Sequence, residues 1–130
     1  MKKIVLLLFM LLGGAASSFA YENGVGIFAA SSDSNSGSPT EDTEIININS
    51  YTEIEFRCNF TSGALGVSST SSAYAYLKHG GTLIDYFNFE RIPYAPFSAG
   101  KNAAFTGYWY SLELKISCAS NAIGLAELRW

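Results

Sequence analysis

Histidine occurs once in this chain of 130 residues, cysteine and methionine twice each, and proline three times. Each scarcity excludes something. His79 sits beside Gly80-Gly81 with no second imidazole anywhere, so a zinc site built from this chain alone is unsupported. A lone histidine at the tip of a turn reads as solvated, not catalytic. The two cysteines are not spaced as Cys-x-x-Cys, which argues against a redox or nucleophilic thiol pair. No Gly-x-Ser-x-Gly elbow is there to expose a reactive serine. Heptads, long amphipathic helices and internal repeats are also missing. The acidic pairs Glu53/Glu55 and Glu41/Asp42 fall on polar faces or in loops, where carboxylates serve solubility. The fragment Asp33-x-Asn35-x-Gly37 begins like a calcium loop but lacks the terminal bidentate glutamate at the required spacing. The expectation is a non-enzyme with no metal and no cofactor.

There is one long hydrophobic run, and it lies at the start. Lys2 and Lys3 precede Ile4 to Leu12, after which small residues lead to Ser18 and Ala20 at the −3 and −1 positions. That is the layout of a secretory signal peptide cleaved after Ala20. Crossing a bilayer takes about 20 apolar residues and this run has half that, so stable membrane insertion is not expected. No cysteine follows the run to carry a lipid. The leader has a bacterial look, which makes the product secreted or periplasmic. What remains, residues 21–130, is enough for one domain with one modest core. Losing Lys2 and Lys3 takes Lys plus Arg from 8 to 6 against 11 Asp plus Glu, a net charge near −5. Such a surface repels phosphate backbones and anionic headgroups, so neither nucleic acid nor a membrane is an expected partner.

In an exported chain, two cysteines are read as one disulfide, Cys58–Cys118. The sequence around each supports an inward cysteine. Ile54, Phe56, Cys58 and Phe60 alternate with Glu53, Glu55, Arg57 and Asn59; Leu112, Leu114, Ile116 and Cys118 alternate with Ser111, Glu113, Lys115 and Ser117. A period of two at this quality means a half-buried strand. A bridge over a loop of this length would contribute roughly 4 kcal/mol in the chain-entropy model.

More β structure follows from the rest. "GVGIF" (24–28) reads as a first strand, residues 29–42 as a mobile Ser/Asp/Gly loop, and "SGALGVSSTSS" as a second loop. "AYAYLKHGGTLIDYFNF" reads as a hairpin turning at Gly80-Gly81, residues that accept positive φ. Pro93 and Pro96 interrupt any strand in the segment 91–102. Asn59-Phe60-Thr61 satisfies a glycosylation sequon, which matters only in a eukaryotic host.

The fold class expected is all-β: a small antiparallel β-sandwich braced by its disulfide. Two inward cysteines about 60 residues apart, the "AYLKHGGTLI" hairpin and the tail "CASNAIGLAEL" together resemble an immunoglobulin-like sandwich. That resemblance implies that the hairpin is the C–C′ pair, and that the tail is an F strand, a tight turn and a G strand folded back upon it. Tyr74 or Tyr76 stands in for the usual core tryptophan, and Ile116 replaces the tyrosine two residues before the second cysteine. The alternative uses "AGKNAAFTG": if Ala99 to Gly107 form a short helix, the layout is similar to the small OB-fold B subunits of secreted bacterial toxins, which are pentameric and bind glycans.

Aromatic residues are in surplus, with 8 Tyr, 9 Phe and 2 Trp. Many of them fill a core, but rigid tyrosine and tryptophan also make contact surfaces. Running the alternation back from Cys118 puts Tyr108 and Tyr110 inward and Trp109 outward, with Phe105 beside it if the strand starts that early. The binding residues expected are therefore Trp109 and Phe105, either covered by the proline-containing segment or offered to a ligand. The function this supports is a secreted or periplasmic non-catalytic binding module for a glycan or protein partner. Its alternatives are a structural subunit of a surface fibre, with "LAELRW" as an open edge strand, and a toxin-B-subunit-like glycan-binding oligomer. Oligomerisation is compatible with each. Trp130, in phase with Ala126 and Leu128, is expected to cap the core beside the second cysteine strand.

Overall fold

The computed structural model describes residues 21–31, 39–62, 70–91 and 98–130. The expected leader, the sequence 32–38, most of the second loop and both Pro93 and Pro96 lie outside the described residues. Within them the chain is six antiparallel strands and no helix: β1 (Gly24–Ala30), β2 (Thr40–Ser62), β3 (Ser71–His79), β4 (Thr82–Arg91), β5 (Ser98–Ala119) and β6 (Ala122–Arg129). Their order in the sheet is β1-β6-β2-β5-β3-β4.

Two strands make this sheet a sandwich. β2 and β5 have 23 and 22 residues, several times an ordinary strand, and pair along almost their whole lengths. Residues 55–62 of β2 lie between β6 and the first half of β5, and β6 in turn carries β1. Residues 112–118 of β5 lie between the first half of β2 and β3, which carries β4. One end of the β2/β5 ribbon therefore belongs to a layer β1-β6-β2-β5, here layer A, and the other to a layer β2-β5-β3-β4, layer B. The inner faces meet where Phe60 of β2 stacks on Phe87 and Phe89 of β4, ring centroids 5.9 and 6.1 Å apart. Ile54, Phe56, Phe60, Leu77, Leu112, Leu114, Ile116 and Leu128 are fully buried around this contact. Each such side chain contributes about 1.5–3 kcal/mol by leaving water.

Both cysteine strands alternate as their sequences require, and Cys58 and Cys118 are buried, but as free thiols, not a disulfide. The register explains why. Cys58 sits in layer A opposite Lys101 and Ala126, close enough to Asp85 of β4 to feel its charge. Cys118 sits in layer B opposite Ala73, whose own β4 partner is Phe89. Lys101, the partner of Cys58 on β5, is 17 residues from Cys118 along that strand, so the register never sets the two thiols side by side as an S–S bond requires.

The immunoglobulin-like layout also needs correction. Gly80 and Gly81 do turn β3 into β4, at φ 55° and 83°. Ser120-Asn121, at φ 52° and 63°, does not fold β6 back onto β5. It carries the chain across the sandwich, so that β6 pairs with β2 and β1 instead. Enclosed on both sides, β6 is not the open edge that "LAELRW" suggested; the terminal strands of the sheet are β1 and β4. The short helix of the OB-fold alternative is absent as well, since Ala99 to Gly107 are β5, paired with β2 from Phe60 back to Thr52. The loop expected over 29–42 is shorter, because Ala29 and Ala30 close β1 and Thr40 to Asp42 open β2. Trp130 packs half-buried against the core, in phase with Ala126 and Leu128, and its backbone pairs with Asn23 through two hydrogen bonds of 2.9 and 3.1 Å; its strand is paired with β1 and β2, not with the second cysteine strand.

Candidate binding surfaces

Trp109 points inward. It is 8% exposed, its indole N–H donates to the Thr52 carbonyl oxygen at 2.8 Å, and the His79 ring meets it edge-on at 5.1 Å. Phe105 is half-buried on the same side and packs against the core. Their neighbours Tyr108 and Tyr110 are the exposed ones, at 57% and 48%, the reverse of the expected phase. The cause is on the other strand. Asn47 pairs with Ser111 and Ser50 with Trp109, so Ile48 and Asn49 together face the single residue Tyr110. This β-bulge, with Asn49 at φ 55°, lies where the ribbon passes from one layer to the other. Beyond it the inward residues of β5 are odd-numbered (Phe105, Trp109), whereas before it they are even (Leu112, Leu114, Ile116).

The bulge leaves Tyr51 and Tyr108 directly opposite one another on the ribbon, with Tyr51 73% exposed. Tyr110 leans on His79, ring centroids 4.2 Å apart. His79 is thus not a solvated turn residue: it is wedged between Trp109 and Tyr110, and its Nε2 is buried without a hydrogen-bond partner.

A second aromatic surface covers layer B. On β3 the small residues Ala73 and Ala75 face in with Leu77, which leaves Tyr74 and Tyr76 facing out. Tyr74 stacks on Tyr76 and on Tyr86 of β4, centroids 6.3 and 6.0 Å apart. The hydroxyls are tethered: Tyr74 donates to Glu41 Oε1 at 3.2 Å and Tyr76 to Glu113 Oε1 at 3.0 Å. Lys115 pairs with Glu41 at 2.9 Å, and the Lys78 ammonium lies 4.6 Å from the Tyr76 ring centre. The hydrogen bond from Lys115 holds the Glu41 carboxyl below its usual range and raises the Lys115 ammonium in return. Burial, with the bond to Glu113, pushes the Tyr76 phenol up. A shallow cleft of about 310 Å³ opens beside these rings, with Asn88, Glu90 and Ser117 on its walls. Fixed aromatic rims with amide, carboxylate and hydroxyl groups between them can hold a polyhydroxylated or peptide ligand by stacking and hydrogen bonds. Among the described residues no cluster of His, Cys, Asp and Glu could hold a metal ion, and no helix is long and apolar enough to cross a membrane.

Sequence reasoning missed Tyr74, Tyr76 and Tyr86 as outward residues. The signal was there: Leu77 is in phase with Ala73 and Ala75, and a leucine fixes the inward face better than a tyrosine, whose hydroxyl tolerates water.

No protein-family model matches the chain, and no curated protein matches it by sequence. Solved structures similar to it include murine APRIL at pH 5.0, at 9% identity and a TM-score of 0.47 over 83% of this chain and 100% of that one. A family 35 carbohydrate binding module from Clostridium thermocellum is similar at 8% identity and a TM-score of 0.39, over 85% and 94% of the two chains. The enzymatically active domain of tailspike protein 4 from bacteriophage CBA120 is similar at 14% identity and a TM-score of 0.35, over 88% of this chain and 20% of that one.

Proposed function

We propose that this chain is an exported, non-catalytic binding module that recognises a glycan or protein partner through the tyrosine face of layer B. The observation that carries this reading is the ladder Tyr74, Tyr76 and Tyr86, with two of its hydroxyls tied to Glu41 and Glu113. Rings already held in place lose little entropy when a ligand settles on them, and the carboxylates and Asn88 beside them supply direction. The buried Trp109 and the half-buried Phe105 support the ribbon from inside and enter as scaffold. The test is a glycan array, followed by titration of the best hit against Tyr86→Ser and Tyr74→Phe. Tyr86→Ser should weaken binding at least tenfold, with its melting temperature unchanged; hits of equal strength in wild type and variant would sink the reading.

A second reading, a subunit of a surface assembly, is favoured by β1. This terminal strand has no charged residue and no proline, and Phe28 on it is 57% exposed, whereas exposed edges are usually guarded by charge or proline. Light scattering after size exclusion separates the two: open-ended polymers support assembly, a discrete species supports the binding module.

A further inference from the structure

The outer face of layer A holds a groove of about 460 Å³ that the tyrosine reading does not use. Its composition follows from the register. Glu127, Arg57 and Asn102 lie side by side across β6, β2 and β5; the next row is Leu125, Asn59 and Gly100. Arg129 extends β6 one step further, opposite Glu55. Direct neighbours in such a lattice are about 5 Å apart and successive rows about 7 Å, the dimensions of a pyranose ring.

The two guanidinium groups share one carboxylate and hold it loosely. Arg57 Nη1 is 3.8 Å and Arg129 Nη2 3.4 Å from the same atom, Glu127 Oε2, against about 2.7–2.9 Å for a well-formed charged pair. Both arginines are about two-fifths exposed. Each carries five N–H donors in a planar fork suited to a carboxylate, and the present contact uses few of them. Asn59 and Asn102 add amides that both donate and accept; Leu125 adds an apolar patch, and Gly100 leaves one corner of the floor bare.

We infer that this groove binds a saccharide bearing a carboxylate, the acid group taken by Arg57 and Arg129, the hydroxyls by Asn59, Asn102 and Glu127, and a C–H face by Leu125. A dense polyanion does not fit: the whole chain has a net charge of −3, and Glu55 and Glu127 stand among the arginines. One acid group on a hydroxylated frame matches two loosely held guanidinium groups, two amides and one acceptor, since the third cation of the lining, Lys101, is already paired with Asp85. This site is independent of the tyrosine face and stands or falls separately from it.

The test is calorimetric titration of the purified protein with 3′-sialyllactose, its methyl ester, lactose and a triglutamate peptide. Sialyllactose should bind at least tenfold more tightly than the ester, lactose or the peptide. Arg57→Gln and Arg129→Gln should each weaken it tenfold or more, Arg57→Lys less, and Tyr86→Ser not at all. Absence of sialyllactose binding, an ester bound equally well, or arginine variants without effect would each overturn the proposal. A peptide bound as tightly as the sugar would keep the carboxylate site and overturn the saccharide. Unchanged melting temperatures in the glutamine variants exclude unfolding as the cause of any loss.

Discussion

Trp109 and Thr52 are joined by a single hydrogen bond, indole N–H to backbone carbonyl, across the two strands that both layers share. The bond anchors the ribbon just beyond its bulge. Trp109→Phe keeps most of the ring but takes the indole N–H away from the half-buried Thr52 carbonyl, and should cost about 1–3 kcal/mol. In a Trp130→Phe background the remaining indole should emit in the blue and resist acrylamide quenching; red, readily quenched emission would contradict the inward placement.

Phe60 is the face-to-face contact of the sandwich, and Phe60→Ala should cost about 3–5 kcal/mol by urea unfolding. The same ring explains Gly124. A Cβ there would stand 2.3 Å from Phe60 Cδ1 and 2.9 Å from Ile116 Cδ1, so Gly124→Ala should destabilise by about 1–3 kcal/mol through overpacking. The double variant Gly124→Ala, Phe60→Leu should lose less than the two separate costs combined, because the collision is removed.

Burial pushes both thiols up to about 11. In the native protein Cys58 and Cys118 should therefore resist an aromatic disulfide reagent at pH 8 and react in full once urea unfolds the chain. A raised thiol pKa stabilises the protein below the unfolded thiol's value, near 8.5, and that contribution is lost as pH climbs through 11. The fall in melting temperature between pH 8.5 and 11 should be shallower in Cys118→Ala than in wild type.

The Glu41–Lys115 pair acts at the opposite end of the scale. Its carboxyl is depressed, so the stabilisation is complete above the ordinary glutamate value, about 4.3, and disappears as pH falls through the lower folded value. Glu41→Gln should remove part of the acid-induced loss of stability while changing little at pH 7; Glu41→Ala should in addition release the Tyr74 hydroxyl, visible as a sharper dependence of tyrosine fluorescence on quencher.

Much of the inner face was legible in the sequence. Ile54 to Phe60 and Leu112 to Cys118 alternate over enough residues for the inward set to be unambiguous, and Gly80-Gly81 announces its turn by its conformational freedom. The failures have one physical origin. Alternation along one strand says nothing about where its partner inserts an additional residue, so Tyr108, Trp109 and Tyr110 were assigned the wrong faces by a bulge that lies on β2. Nor does Ser120-Asn121 advertise whether it reverses a strand in its own layer or hands it to the other. The cysteine pairing fell with that: two inward thiols on good strands imply a shared core, not adjacency within it. The layer A groove was invisible because Arg57, Asn102 and Arg129 come from three strands whose register only the fold supplies.

The ribbon shared by both layers also sets how the chain must fold. β3 and β4 can zip from their turn, but β2 and β5 join residues 37 apart at Thr61 and Ser98 and 78 apart at Thr40 and Cys118, and Gly24 of β1 meets Arg129, 105 positions later. Loop-closure entropy is spent on every one of these pairings before much apolar surface is buried, which places folding in the millisecond-to-second range of high-contact-order β proteins. Neither layer can form ahead of the other, because each lacks its central strands until the ribbon exists. The protein should accordingly unfold in one step, with no half-sandwich surviving on its own.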